Sequence, residues 1–146
     1  MEAFEAVLAP RIILSDRVIR EEGTGKLSLI GCFDAFLGQS FPFQSVPFFV
    51  TVAVTNIANF PDQLNVVLRI ETPGSGHVIA SSNANLRRNP ESPPIPRTGV
   101  IEITFPFASV RFDSPGTFDV VCLVSNEPIG KRQVEVKPVT ARPDQV

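Results

Sequence analysis

Thr98-Gly-Val-Ile-Glu-Ile-Thr-Phe-Pro-Phe107 opens a stretch that continues through Val110-Arg-Phe112, Ser114-Pro-Gly-Thr-Phe-Asp-Val-Val-Cys-Leu-Val124 and Asn126-Glu-Pro-Ile-Gly130 to Val136. Ile101, Ile103, Phe105 and Phe107 alternate with Val100, Glu102, Thr104 and Pro106, the two-residue period of a strand with one buried face. Ser114-Pro115-Gly116 is turn chemistry: proline presets φ at one corner and glycine accepts the next. Phe118, Val120, Cys122 and Val124 share a face of a second strand, while Val121 and Leu123 make its other face apolar. That strand is expected to be covered on both sides and central in its sheet. Asn126 to Gly130 closes a hairpin, and Val134 and Val136 carry the returning strand inward.

Upstream, Ile12 to Ile19 and Leu27 to Leu37 read as an antiparallel pair around Glu21-Glu-Gly-Thr-Gly-Lys26, with Gly31 marking a bulge or a close backbone approach. A helix over residues 3–9 is a weak alternative that Pro10 would end early. Phe48, Val50, Val52 and Val54 form one face of a strand, and Leu64, Val66, Leu68 and Ile70 another. Pro73-Gly-Ser-Gly76 turns the chain toward a strand that begins at His77. Asn83 to Pro96, with Arg87, Arg88 and four prolines, reads as the least structured segment. The pattern predicts an all-β, antiparallel, immunoglobulin-like β-sandwich of about eight strands, with Leu29, Val52, Leu68, Ile103 and Val120 in the core. Residues 1–146 form one domain, with 139–146 expected as a flexible tail.

The totals narrow the function classes. The chain has 146 residues, 14 prolines, a net charge of −2 and 12 phenylalanines with neither tryptophan nor tyrosine. A domain of this length holds a core without metal or disulfide staples. The charge offers no global attraction for nucleic acid or anionic lipid, so neither is expected as a partner. The missing amphipathic aromatics disfavour a sugar-binding platform. The start lacks a secretory pattern, and the most apolar run, Val46 to Val54, is too short to span a bilayer. The chain reads as soluble and cytoplasmic, with Cys32 and Cys122 expected to stay reduced and buried.

The opening Phe4-Glu-Ala-Val-Leu-Ala9, then Asp16-Arg-Val-Ile-Arg-Glu-Glu-Gly-Thr-Gly-Lys-Leu-Ser-Leu-Ile-Gly31, Phe33-Asp34 and Pro115-Gly-Thr-Phe118, resemble a family of small uncharacterised bacterial all-β proteins. The resemblance covers most of the chain. It implies a compact β-sandwich and carries over no catalytic residue. A looser similarity to immunoglobulin-type sandwiches rests on the Phe118 to Cys122 strand and on Cys32. It departs from the antibody pattern at Val120, where tyrosine is expected, and in the lack of tryptophan.

Catalytic constellations are poorly supplied. Gly23-Thr-Gly-Lys26 resembles a phosphate loop, but Arg20 and Leu27 stand where the pattern needs glycine and serine or threonine, so an exposed hairpin turn is expected. His77, the single histidine, follows a turn near Ser75, Ser81 and Ser82 with no nucleophile elbow. The cysteines lack metal-finger spacing, and Asp62, Glu91 and Asp113 fall in different loops, so no metal and no cofactor are expected. Two surface candidates remain. Phe41, Phe43, Phe48 and Phe49 lie close together in the chain, and any left outside the core would mark an interface. Arg87, Arg88, Pro93 and Pro94 lie on a proline-rich segment of the kind that docks into grooves on partners. A non-catalytic binding or assembly module acting through protein–protein contacts is the favoured function, with a homodimer as the expected first partner. A carrier with a Phe-lined apolar pocket is the alternative, and a hydrolase using His77 is less favoured.

Overall fold

The computed structural model describes residues 7–55, 63–87, 91 and 100–139. Its described strands are β1 (Val7–Arg20), β2 (Leu27–Phe33), β3 (Ala35–Gly38), β4 (Phe43–Gln44), β5 (Phe48–Thr55), β6 (Gln63–Glu71), β7 (Val78–Arg87), β8 (Val100–Phe107), β9 (Arg111–Phe112), β10 (Gly116–Val124) and β11 (Glu127–Pro138). They form a four-stranded sheet in the order β2-β1-β5-β8, a five-stranded sheet in the order β3-β11-β10-β6-β7, and a small β4-β9 pair.

The two large sheets pack as a sandwich because each supplies one apolar face. Leu14, Val50, Val52, Val54 and Phe105 project from the first, and Leu64, Val66, Leu68, Ile70, Val120, Cys122 and Val134 from the second, all of them buried. The order β1-β5-β8 on one side and β11-β10-β6 on the other, with β5 to β6 and β7 to β8 crossing between sheets, is the arrangement of immunoglobulin-like sandwiches. β10 lies at the centre of its sheet with both Val120 and Leu123 buried, as its two apolar faces require. Val52, Leu68, Ile103 and Val120 are core residues.

Several expectations are corrected. The run Leu27 to Leu37 is two strands, not one. Asp34 lies between β2 and β3, where the chain leaves the four-stranded sheet and joins the other beside β11, in parallel. Leu29 is only half-buried because β2 is the edge strand of its sheet. The expected loop after Asn83 is strand as far as Arg87, with Ala84 and Leu86 packed against the core. Residues 7–9 of the weak helix alternative belong to β1. The β10–β11 turn is tighter than expected: Val124 pairs with Glu127, and Ser125 and Asn126 both take positive φ, 51° and 68°. The hairpin over Glu21 to Lys26 is the exposed turn expected, closed by Glu21 N–H on the Lys26 carbonyl at 2.7 Å.

Candidate binding surfaces

Eight phenylalanines form a continuous network at one end of the sandwich. Phe36 is its hub, with ring centroids 5.1 Å from Phe33, Phe48 and Phe112 alike. Phe48 stacks on Phe107 at 5.1 Å, Phe112 meets Phe118 at 5.0 Å, and Phe43 stacks on Phe112 and meets Phe41 at 6.3 Å. Gly38 makes this possible, since a Cβ there would stand 2.8 Å from the Phe43 ring. The corner is pinned by polar backbone exchange. Ser45 N–H donates to the Val110 carbonyl, and Val110 N–H donates to Ser45 Oγ, each at 2.9 Å.

An apolar pocket of about 430 Å³ opens here, walled by Phe33, Phe36, Phe43 and Phe48, with Leu37 and Val46 at its side. Leu37 is 60 % exposed and Val46 72 %. The charged residue in its lining is Asp16, whose side chain lies against Gly31; that glycine has φ of 68° and no room for a Cβ. Gly31 is thus the close approach expected of it.

The candidates around Phe41 to Phe49 part company. Phe48 is 1 % exposed and belongs to the core and the pocket floor rather than to the outer surface, because the strand period points it inward. Phe41 and Phe43 are half-buried at the corner. Phe49 projects from the opposite, outer face of the four-stranded sheet, between Ser15 and Pro106, with Cys32 beyond Ser15. The next row across that face is Ile13, Thr51 and Thr104, the two threonine hydroxyls being 3.4 Å apart. These two rows carry no charge. Ile19, Ile30 and Val100, all exposed, share the face by strand parity, and so do the exposed Arg17, paired with Ile30, and Glu102, paired with Ala53. The outer face of the five-stranded sheet carries more charge, set around an apolar middle of Val67, Val121 and Leu123. It presents Arg69, Glu71, Asp119, Lys131 and Gln133, together with Asn65 donating to Asn83 and Asn85 at 2.9 and 2.8 Å.

Arg87 is exposed at the end of edge strand β7, while Arg88, Pro93 and Pro94 lie outside the described residues. Asp62 does too; Asp113 is paired with Arg111 at 3.0 Å, and Glu91 is exposed. His77 is exposed in the β6–β7 turn, where its backbone N–H donates to Ser75 Oγ at 3.3 Å. Among the described residues no three His, Cys, Asp or Glu side chains converge as a metal site. Both cysteines are free, but only Cys122 is buried, which corrects the expectation for Cys32. Cys32 faces outward on β2 and Cys122 faces the core from β10, so they do not approach each other. Burial pushes the Cys122 thiol up from its ordinary value of 9.0 to about 11.

Residues 11–137 match a family of unknown function, DUF6941. The chain belongs to that family. No curated protein matches it. Among solved structures, an immunoglobulin-like protein of Pseudomonas aeruginosa is similar at 11 % identity and a TM-score of 0.40, over 90 % of this chain and 96 % of that one. The alkylpurine DNA glycosylase AlkC of Pseudomonas fluorescens, bound to DNA with an abasic site analog, is similar at 15 % identity and a TM-score of 0.43. There 71 % of this chain is covered, and it spans only 28 % of the glycosylase chain. No helix among the described residues is long and apolar enough to cross a membrane.

The pocket and Asp16 escaped the sequence reading because their members come from β1, β2, β3 and the segment before β5, which only the fold assembles. Leu37, beside Gly38 at the end of β3, and Val46, beside Pro47 in the connection before β5, carried one available sign as apolar residues next to glycine and proline.

Proposed function

We propose that this domain is a non-catalytic binding and assembly module whose first partner is a second copy of itself, joined through the outer face of the four-stranded sheet. The observation that carries the reading is the contrast between the two outer faces. One is strewn with charge and amides, while the other holds an uncharged patch across Cys32, Ser15, Phe49 and Pro106 and again across Ile13, Thr51 and Thr104, with Arg17 and Glu102 outside those two rows. A water-exposed sheet face ordinarily alternates to polar side chains, and an uncharged patch with a large apolar side chain at its middle, such as Phe49, is of the kind that marks an interface. β5 is hydrogen-bonded on both sides, so the contact is between sheet faces rather than edges. A symmetric pair is the simplest closed assembly for one self-complementary patch.

Light scattering at micromolar concentration tests this. The wild type is expected at dimer mass and Phe49→Asp at monomer mass with the circular dichroism of the folded protein retained. Monomers in both proteins overturn the proposal. A second reading, a carrier of an apolar ligand, draws on the Phe-lined pocket, whose volume of about 430 Å³ lies in the range of small-molecule sites. Saturable binding of uncharged Nile red that Val46→Asp abolishes would favour it, and its absence would count against it.

A further inference from the structure

The N-terminal half of β1 and the first half of β11 each have a strand on one side only. β2 joins β1 from Leu14 onward, and β3 joins β11 from Glu135 onward. Between these unpaired flanks the sandwich opens into a cavity of about 550 Å³, lined by Arg11, Ile12, Ile13, Ile129, Gly130, Lys131 and Arg132. Both flanks are bulged at this point. β1 advances from Leu8 to Ile12 while β5 advances only from Val54 to Val52, and Ile129 is the extra residue where Cys122 and Leu123 face Gly130 and Pro128. Bulges re-aim side chains and are enriched beside sites.

The effect is to gather three cations without a carboxylate in the lining. Among the described residues the ion pairs are Arg111–Asp113 and Lys137–Glu135, so none of the three is engaged in one. Arg132 is half-buried, its Nη1 donates to the Ile12 carbonyl at 2.6 Å, and it stands between this cavity and an adjoining opening that Asp34 and Glu135 line. Arg11 and Lys131 are exposed at the mouth, and the isoleucines supply apolar wall. Such a concentration of unpaired positive charge in a chain of net charge −2 asks for an anion.

We propose that this opening binds a small phosphomonoester carried on an apolar body. A phosphate dianion balances about two cations where a carboxylate balances one, and an arginine fork bonds phosphate in bidentate fashion. The isoleucine wall accounts for the apolar body, and the volume fits one small molecule. The site lies at the side opening of the sandwich, and binding does not require the dimer proposed above.

Calorimetric titration of the whole protein with phenyl phosphate, inorganic phosphate and benzoate, at constant ionic strength, tests the assignment. Phenyl phosphate is expected to bind at least about tenfold more tightly than either of the others. Losing one charge-assisted hydrogen bond corresponds to about a tenfold weakening. Lys131→Gln and Arg11→Gln, both at exposed positions that leave folding intact, should each produce it. Arg69→Gln, two strands from Lys131 on the same sheet and outside the lining, should leave affinity unchanged. The proposal is overturned if millimolar phenyl phosphate gives no binding, if inorganic phosphate or benzoate binds equally well, or if Arg69→Gln weakens binding as much as Lys131→Gln.

Discussion

The two cysteines differ only in the face their strands present. Cys122 lies in the core, and water's absence disfavours its thiolate, so its thiol titrates at about 11 rather than 9.0. Because the folded-state value is the higher one, the folded protein holds its proton longer than the unfolded chain. The associated stability is complete below pH 9.0 and is lost as pH rises through about 11. A urea midpoint measured at pH 8 and at pH 11 should fall more in the wild type than in Cys122→Val. Thiol reagents at pH 8 should label Cys32 in folded, monomeric Phe49→Asp protein and Cys122 only after unfolding; rapid labelling of both would contradict the burial of Cys122. At the same scale, Asp119 Oδ1 is buried with no hydrogen-bond partner among the described residues, on the outer face of β10 beside Glu71 and Gln133. A buried unpaired acceptor costs about 1–3 kcal/mol.

Among the elements, the β10–β11 hairpin is the most sharply specified and carries the clearest strain. Ser125 and Asn126 both occupy the left-handed region, where an L-residue other than glycine or asparagine costs roughly 1–2 kcal/mol. A two-residue turn of this hand suits Asn-Gly. Ser125→Asn combined with Asn126→Gly should therefore raise unfolding stability by about 1 kcal/mol, read as a higher urea midpoint. The bond from Ser125 N–H to the Asn65 carbonyl, 3.0 Å, is a backbone bond that the change retains. An unchanged or lower midpoint would show that the turn is held by its surroundings rather than strained. β7 is the contrasting element. Its asparagines are poor strand formers, yet Asn83 and Asn85 are bridged by Asn65 on the neighbouring strand.

For the whole molecule, the core has two textures. Its middle is aliphatic, built on Val52, Leu68, Ile70 and Val120, and one end is an aromatic network centred on Phe36. Leu68 is fully buried, so Leu68→Ala should cost about 2–5 kcal/mol. Phe36→Ala should cost about 3–5 kcal/mol. It should also speed hydrogen exchange in β3, which is held by a short parallel pairing and by the contacts of that ring. Equal exchange rates in β3 for both variants would show that the aromatic end does not fasten that strand.

The sequence alone determined what alternation and turn chemistry determine. Strand faces at Phe48–Val54, Leu64–Ile70, Ile101–Phe107 and Phe118–Val124 follow from a period of two, because each residue's side is fixed by its neighbour's. The doubly apolar β10 likewise specified its own central place. What the tertiary structure decided was every relation between distant segments. The crossing at Asp34 sends Phe33 and Phe36 into one pocket from two sheets, and parity alone cannot report a change of sheet. Phe48 and Phe49 are adjacent in sequence, yet one joins the core and the other an outer face whose uncharged rows only sheet order assembles. Arg11 and Arg132 are brought together by two bulges and a pair of unpaired strand flanks. Side-chain direction is a local property, readable from the chain; convergence depends on which strands become neighbours, which packing of the two sheets decides.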